Sequence, residues 1–157
     1  MRTIAIFILI FFSVGVKAQQ HPVAFATASE FTQVASQLKY PSVLQNSFRE
    51  MKSQVDTALG KDIDVPFPKD PAGGYTHERH KANYMLMYQA SLLYQLTHDI
   101  RYANLVKNIF KKYAQLNPTL KNHPQATSSF PGRLFWQALN DANWLVYAGL
   151  AYDGIYS

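Results

Sequence analysis

The 157-residue sequence contains no cysteine. This absence excludes a disulfide framework, which many small exported domains use to remain folded. A hydrophobic core must therefore hold the fold together, and hydrophobic residues, at 48% of the sequence, supply the material for one.

Long hydrophobic runs are also scarce, with one exception at the start of the chain. Arg2 precedes an apolar run from Ile4 to Val16, and Ala18 is a small residue suited to a cleavage site. This order predicts a signal peptide over residues 1–18, cleaved after Ala18. An uncleaved membrane anchor is the alternative, although the run is short for a stable span. We therefore expect residues 19–157 to be periplasmic or secreted, with no membrane contact after cleavage.

Clusters of basic residues are lacking as well. The formal net charge is +5, and removal of Arg2 and Lys17 leaves 13 basic against 10 acidic residues, a net charge of +3. No stretch gathers enough lysine or arginine to neutralise a run of phosphates, so a nucleic-acid partner is not expected. The mild positive charge is compatible with an acidic ligand.

The sequence shows no strand-like alternation longer than a few residues. Apolar residues recur at helical spacing instead, with Ser29, Thr76 and Asp99 as candidate N-caps. Proline and glycine mark the segments 61–75 and 117–132 as loops. The predicted helices cover, approximately, residues 29–40, 42–60, 76–97, 99–116 and 133–152. We expect an all-α fold of helical hairpins in series, arranged as a bundle, a solenoid or a toroid.

The last predicted helix carries apolar residues over a wide arc. These residues are Leu134, Leu139, Trp144, Leu145, Ala148 and Tyr152, and the pattern continues close to Ser157. Because no later element remains to cover these residues, we predict that the chain is part of a longer domain.

The first cluster of candidate site residues follows a Gly-Gly turn at the start of the third helix. It contains Tyr75, His77, Glu78 and His80. Two histidines at i and i+3, with Arg79 between them, do not match the i and i+4 spacing of a zinc-binding helix, so no metal is predicted. Capping or a structural role is one interpretation. A polar ligand site at a helix N-terminus, where carboxylates are favoured, is the other.

The second cluster lies at the start of the last predicted helix. Arg133, Gln137 and Asn140 are spaced i, i+4 and i+7, so a helix would place all three on one face. Such groups are costly to bury without partners. The face therefore either packs against polar backbone or lines a cleft for an oxygen-rich ligand, where Trp136 could stack on a sugar.

Several catalytic motifs are absent. The sequence has no glycine-rich phosphate loop, no nucleophile elbow and no Cys/His pair, and we predict no cofactor. Glu78 and Asp141 are the carboxylates adjoining the two clusters, but nothing in the sequence fixes their separation, as glycoside hydrolysis would require.

Three segments together resemble the N-terminal helical part of alginate lyases of polysaccharide lyase family 17, which are similar to heparinase II/III-like lyases. The resemblance covers roughly residues 40–155. The segments are GGYTHERHK at 73–81, YQLTHD at 94–99 with Tyr102 and Ala103, and PGRLFWQALN at 131–140 with WLVY at 144–147.

This resemblance implies an incomplete (α/α) toroid, followed in full-length members by a β-sandwich, and exolytic β-elimination on uronate oligosaccharides. Members neutralise the substrate carboxylate with an Asn-His pair that follows the Trp-Gln segment, whereas Asn122-His123 precedes it here. The catalytic residues are therefore expected beyond Ser157, and the 157 residues alone are expected to be inactive. The positions expected to bind substrate are Tyr75, His77, His80, Arg133, Gln137 and Asn140.

The implied partners are an acidic polysaccharide or oligosaccharide and the remainder of the protein's own chain. Two other classes remain open: a non-catalytic periplasmic carbohydrate-binding helical protein, and a glycoside hydrolase on a similar helical toroid. Sequence beyond Ser157 would separate the first of these from a lyase, and the reaction products would separate the second.

Overall fold

The computed structural model describes residues 20–126 and 129–156. The predicted signal peptide lies outside the described residues. Within them every regular element is helical, which confirms the all-α prediction, and the pairing of Pro131 with Gln137 is an isolated bridge outside any strand. No helix in this part of the chain is both long and apolar enough to cross a membrane.

Five α-helices follow one another along the described chain. They are α1 (Ala28–Gln37), α2 (Val43–Asp56), α3 (Tyr75–Thr97), α4 (Ile100–Leu116) and α5 (Ala138–Ile155), with a 3₁₀ turn at Asn117–Thr119 after α4. Asp99 caps α4 as predicted, because its side chain accepts from the backbone N–H of Arg101.

Two predicted N-caps are wrong. Thr27, not Ser29, caps α1, through a capping box in which Thr27 and Glu30 satisfy each other's backbone N–H groups. Gly74 precedes α3, and the predicted cap Thr76 lies inside that helix. The Thr76 hydroxyl accepts from the backbone N–H of Asp70 at 2.9 Å, and so ties the preceding loop to α3 instead.

The third helix is the centre of the fold. It packs against each of the other four helices, and Met87, Ala90 and Leu93 along it are fully buried. Val106 and Ile109 of α4 are fully buried in the same core. Burial of apolar surface from several directions explains why α3 has no clear hydrophilic face, whereas α4 has one.

The fifth helix is covered on one side by α3, but its other sides remain apolar. Leu139, Leu145, Val146 and Tyr152 are between 54% and 76% exposed. Clustered apolar side chains of this kind are typical of a surface that another element covers. This agrees with the sequence pattern, which gives α5 apolar residues over a wide arc.

The C-terminal end of α5 holds the segment just before α1. The Asp153 carboxylate accepts from the backbone N–H groups of Val23 and Ala24, both at 2.9 Å, and contacts His21 Nδ1 at 2.5 Å. Burial alone would raise the pKa of Asp153. The hydrogen bonds from Ala24, His21 and Val23 outweigh it and hold the pKa below its usual range.

We expect Asp153→Ala to release residues 21–24 from α5, because all three contacts of the carboxylate are lost together. Unfolding free energy should fall by about 1–2 kcal/mol, since the freed N–H groups become partly solvated. Limited proteolysis should then cleave near residues 20–27 earlier than in the unaltered protein. Glu50→Ala, on the exposed side of α2, is the matched control. Equal cleavage rates in both variants would show that Asp153 does not hold this segment.

Candidate functional site

The segment Pro131–Gln137, here called the Trp136 loop, lies where the sequence predicts the start of the last helix. That prediction is wrong, because α5 begins at Ala138. The Asp141 carboxylate accepts from the backbone N–H of Arg133 at 2.6 Å and of Phe135 at 2.8 Å. These N–H groups are satisfied by a side chain in the first turn of α5, so the loop folds back instead of extending the helix.

The predicted face of Arg133, Gln137 and Asn140 therefore does not exist. Arg133 lies in the Trp136 loop, Gln137 is the extended residue that precedes α5, and Asn140 is in the first turn. The Arg133 guanidinium donates to the carbonyl of Leu120, with Nε at 3.1 Å, and so closes the end of the preceding loop. Gln137 makes no side-chain capping bond to α5.

Three histidines lie together beneath the Trp136 loop. His77 is 6% exposed, His80 is fully buried and His123 is 4% exposed. The ring of Phe135 covers the first two, with centroid distances of 5.0 Å to His77 and 5.8 Å to His80. We call these three residues the histidine cluster.

A short hydrogen-bond chain fixes His80. Its Nδ1 lies 2.9 Å from the hydroxyl of Tyr113, and the Asn83 amide donates to that hydroxyl at 3.2 Å and to the carbonyl of Asp64 at 2.8 Å. Burial lowers the pKa of His80 to about 4 and raises that of Tyr113 to about 12. At neutral pH, His80 is therefore uncharged, and because the Tyr113 hydroxyl already accepts from Asn83, it donates its own hydrogen bond to His80 Nδ1.

His123 joins the cluster from the second loop. Its backbone N–H donates to the carbonyl of Gly132 at 2.8 Å, and its Nδ1 accepts from the N–H of Gln125 at 3.1 Å. Burial lowers the pKa of His123, as it does that of His77. No role for His123 follows from the sequence, because this residue lies far from His77 and His80 along the chain. Its backbone bond to Gly132 ties it to the Trp136 loop that lies over them.

Tyr75 lies at the edge of this region and is 63% exposed. Its hydroxyl donates to Asp64 at 2.6 Å, and Arg79 Nε is 3.9 Å from the same carboxylate oxygen. The hydrogen bond to Asp64 raises the pKa of Tyr75. An exposed ring beside a cation and a carboxylate is chemically suited to contact a sugar.

The sequence was compared with those of known proteins, because the geometry of the site does not identify a substrate. No protein-family model matches the chain. It is 38% identical over 140 residues to the exo-oligoalginate lyase of Saccharophagus degradans, an alignment covering 89% of this chain and 19% of that protein. It is 42% identical over 130 residues to the alginate lyase of Stenotrophomonas maltophilia, covering 82% of this chain and 17% of that protein.

The chain is related to alginate lyases. It spans about a fifth of the length of these relatives. Both relatives are named as lyases that act on a polysaccharide, and this agrees with the class of enzyme that the sequence predicts.

Asp141 and Glu78, the two carboxylates next to the site, have different hydrogen-bond partners. Asp141 holds two backbone N–H groups of the Trp136 loop, whereas the exposed Glu78 pairs with Lys81 at 2.9 Å. The hydrogen bond from Lys81 lowers the pKa of Glu78. A general acid for glycoside hydrolysis needs a raised pKa, so Glu78 does not fit that role. Among the described residues, no three His, Cys, Asp or Glu side chains are grouped to hold a metal ion.

Proposed function

We propose that the protein is a polysaccharide lyase that cleaves alginate or related uronate oligosaccharides by β-elimination. The observation that carries this proposal is the 38–42% identity to two alginate lyases over more than four-fifths of the chain. We further propose that it belongs to polysaccharide lyase family 17, with an (α/α) toroid to which these helical hairpins contribute, and that it acts exolytically.

The elimination requires a group that neutralises the uronate carboxylate, a base for the C5 proton and an acid for the leaving oxygen. The histidine cluster and Tyr113 are poorly suited to these steps, because they are buried and do not reach a substrate in the solvent. We therefore propose that this chain supplies binding and support, that the reacting groups lie in the remainder of a longer polypeptide, and that the 157 residues alone are inactive.

The six predicted substrate-binding residues divide into two groups by their surroundings. Tyr75 is exposed, and Gln137 and Asn140 are partly exposed at the N-terminal end of α5, where the helix dipole favours a carboxylate. We propose these three as direct contacts. His77 and His80 are buried and the Arg133 guanidinium binds a backbone carbonyl, so we propose that they position the Trp136 loop.

The test is to incubate alginate with the full natural polypeptide that carries these residues. A lyase releases an unsaturated uronate, which absorbs in the ultraviolet. New reducing ends without that absorbance would identify a glycoside hydrolase instead. Binding of alginate without any product would identify a non-catalytic carbohydrate-binding protein.

We also propose that the protein is exported and acts in the periplasm or outside the cell. This proposal depends on the apolar run that begins at Ile4 and on Ala18 as the cleavage site. Sequencing the N-terminus of the protein recovered from cells tests it. A first residue of Gln19 is expected, whereas a protein that begins at Met1 would contradict it.

Gln137→Ala should lower the turnover efficiency of the full polypeptide by roughly three- to thirtyfold, because a hydrogen bond to substrate is worth about 0.5–1.5 kcal/mol and more with a charged partner. Thermal stability should change little, since the Gln137 side chain does not cap α5. The bridge between Gln137 and Pro131 is made by the backbone, which alanine keeps. Gln33→Ala on the exposed side of α1 is the control. A destabilised Gln137 variant with normal specific activity would remove this residue from the substrate site.

A further inference from the structure

A groove of about 730 Å³ lies between residues 59–63 and the outer face of α4, apart from the Trp136 loop. Its lining includes four cationic side chains and one carboxylate. The cations are Lys61, Arg101, Lys111 and Lys112, and the carboxylate is Asp62. The groove therefore has an excess of positive charge, and none of the candidate site residues lines it.

Two of the four cations are already engaged. Lys112 Nζ lies 2.5 Å from Asp62 and donates to the carbonyl of Ile63 at 2.7 Å, and Arg101 binds Asp99 at 2.6 Å. Lys61 and Lys111 have no carboxylate within ion-pair distance among the described residues. Two lysines in one concavity with no acidic partner are suited to an anionic ligand.

Amide side chains lie between these charges. Asn104, Asn108 and Gln115 share the outward side of α4 with Arg101 and line the same groove. Amides can donate and accept, which suits the hydroxyl groups of a sugar. From Arg101 to Gln115 the helix rises by about 20 Å, which is long enough for several sugar rings in a row.

The other side of α4 packs into the core, where Tyr102 and Val106 are fully buried. A protein element laid over the groove would have to remove Lys61 and Lys111 from water, which costs several kcal/mol for each ion that it leaves unpaired. A solvated polyanion with many hydroxyl groups does not impose that cost. Among the described residues that line the groove none is aromatic, whereas single-stranded nucleic acids are usually bound by stacking on aromatic rings.

We propose that this groove is an accessory binding site for a polyuronate chain, separate from the site of elimination. The choice of polyuronate as the ligand depends on the proposed function. The site would hold the polymer near the enzyme through Lys61 and Lys111, with the amides of α4 contacting hydroxyl groups.

The test uses the full natural polypeptide in affinity electrophoresis, with polymeric alginate in one gel, an uncharged polysaccharide in a second and single-stranded nucleic acid in a third. The variant is Lys61→Gln with Lys111→Gln. The control is Lys39→Gln with Lys107→Gln, which removes the same charge from residues that do not line the groove, one of them on the same helix. Release of unsaturated uronate is measured in parallel on the unaltered protein.

We expect alginate to slow the unaltered protein and the control equally. The groove variant should bind alginate roughly three- to thirtyfold more weakly, because it loses two exposed ion pairs between lysine and the carboxylates of the polymer. Added salt should reduce this difference. Equal retardation of groove variant and control, with unsaturated uronate still formed, overturns the accessory site and leaves the proposed function standing. Groove-dependent retardation without that product supports the site and removes the proposed function. Groove-dependent retardation by nucleic acid but not by alginate also overturns the proposal.

Discussion

Gly132→Ala is expected to destabilise the protein by about 3 kcal/mol and to lower its melting temperature by on the order of 10 °C. A Cβ atom at this position would lie 2.4 Å from the carbonyl oxygen of Phe135 and 2.8 Å from the carbonyl carbon of Gln137. Both contacts are with backbone, so no side-chain rotation can relieve them. The Trp136 loop would have to open, and Phe135, which is 1% exposed, would no longer cover the histidine cluster.

Gly149→Ala is the matched control for this substitution. Gly149 lies inside α5, and a Cβ there would meet nothing within 4 Å. Alanine should therefore stabilise the helix by about 0.5–1 kcal/mol, because it has the higher helix propensity. Thermal unfolding of the two variants provides the comparison. A Gly132→Ala protein as stable as the unaltered one would show that the loop relaxes without cost and that its shape does not depend on glycine.

The helices could be predicted from the sequence because their signals are local. Asp99 is followed by an apolar pattern of period 3.6, and α4 begins there as expected. The α1 cap was misplaced by two residues because Thr27, Ser29 and Glu30 offer competing capping patterns within one turn. Such errors move an end of a helix but leave its buried face unchanged.

The Trp136 loop could not be predicted in the same way. Arg133 to Gln137 has helical spacing, but Asp141 takes the N–H groups of Arg133 and Phe135, and Gly132 allows the close backbone approach that follows. These are contacts between specific side chains and backbone that no period reveals. The histidine cluster has the same origin, because the backbone bond from His123 to Gly132 ties His123 to the loop that covers His77 and His80.

Because of the histidine cluster, we expect the free energy of unfolding to fall in mild acid. His80 has a pKa of about 4 in the folded protein, because burial disfavours its charged form, whereas an unfolded histidine titrates near 6.5. At a pH between these two pKa values, His80 is protonated in the unfolded chain but mostly neutral in the folded protein. The stability is therefore fully present above about pH 6.5 and is lost as the pH falls toward about 4.

The size of the effect follows from the same two values. His80 alone should reduce the unfolding free energy by roughly 2 kcal/mol between about pH 7 and about pH 5, and by about 3 kcal/mol once the pH reaches 4. Burial lowers the pKa of His77 and His123 as well, so both steepen the loss in the same direction. Asp99 has a pKa lowered to about 2, and its contribution is lost only in more acidic solution.

Urea unfolding at several pH values between about 5 and 7.5 measures this slope. His80→Gln should be less stable than the unaltered protein at neutral pH, since the Tyr113 hydroxyl loses its bond to His80 and keeps only the one from Asn83. The stability of this variant should depend much less on pH. His98→Asn is the control, because His98 is exposed at the end of α3 with φ of 55°, a conformation that asparagine tolerates. Its slope should match that of the unaltered protein. If His80→Gln keeps the full slope, the acid sensitivity arises from other groups and His80 is not held neutral by its burial beneath Phe135.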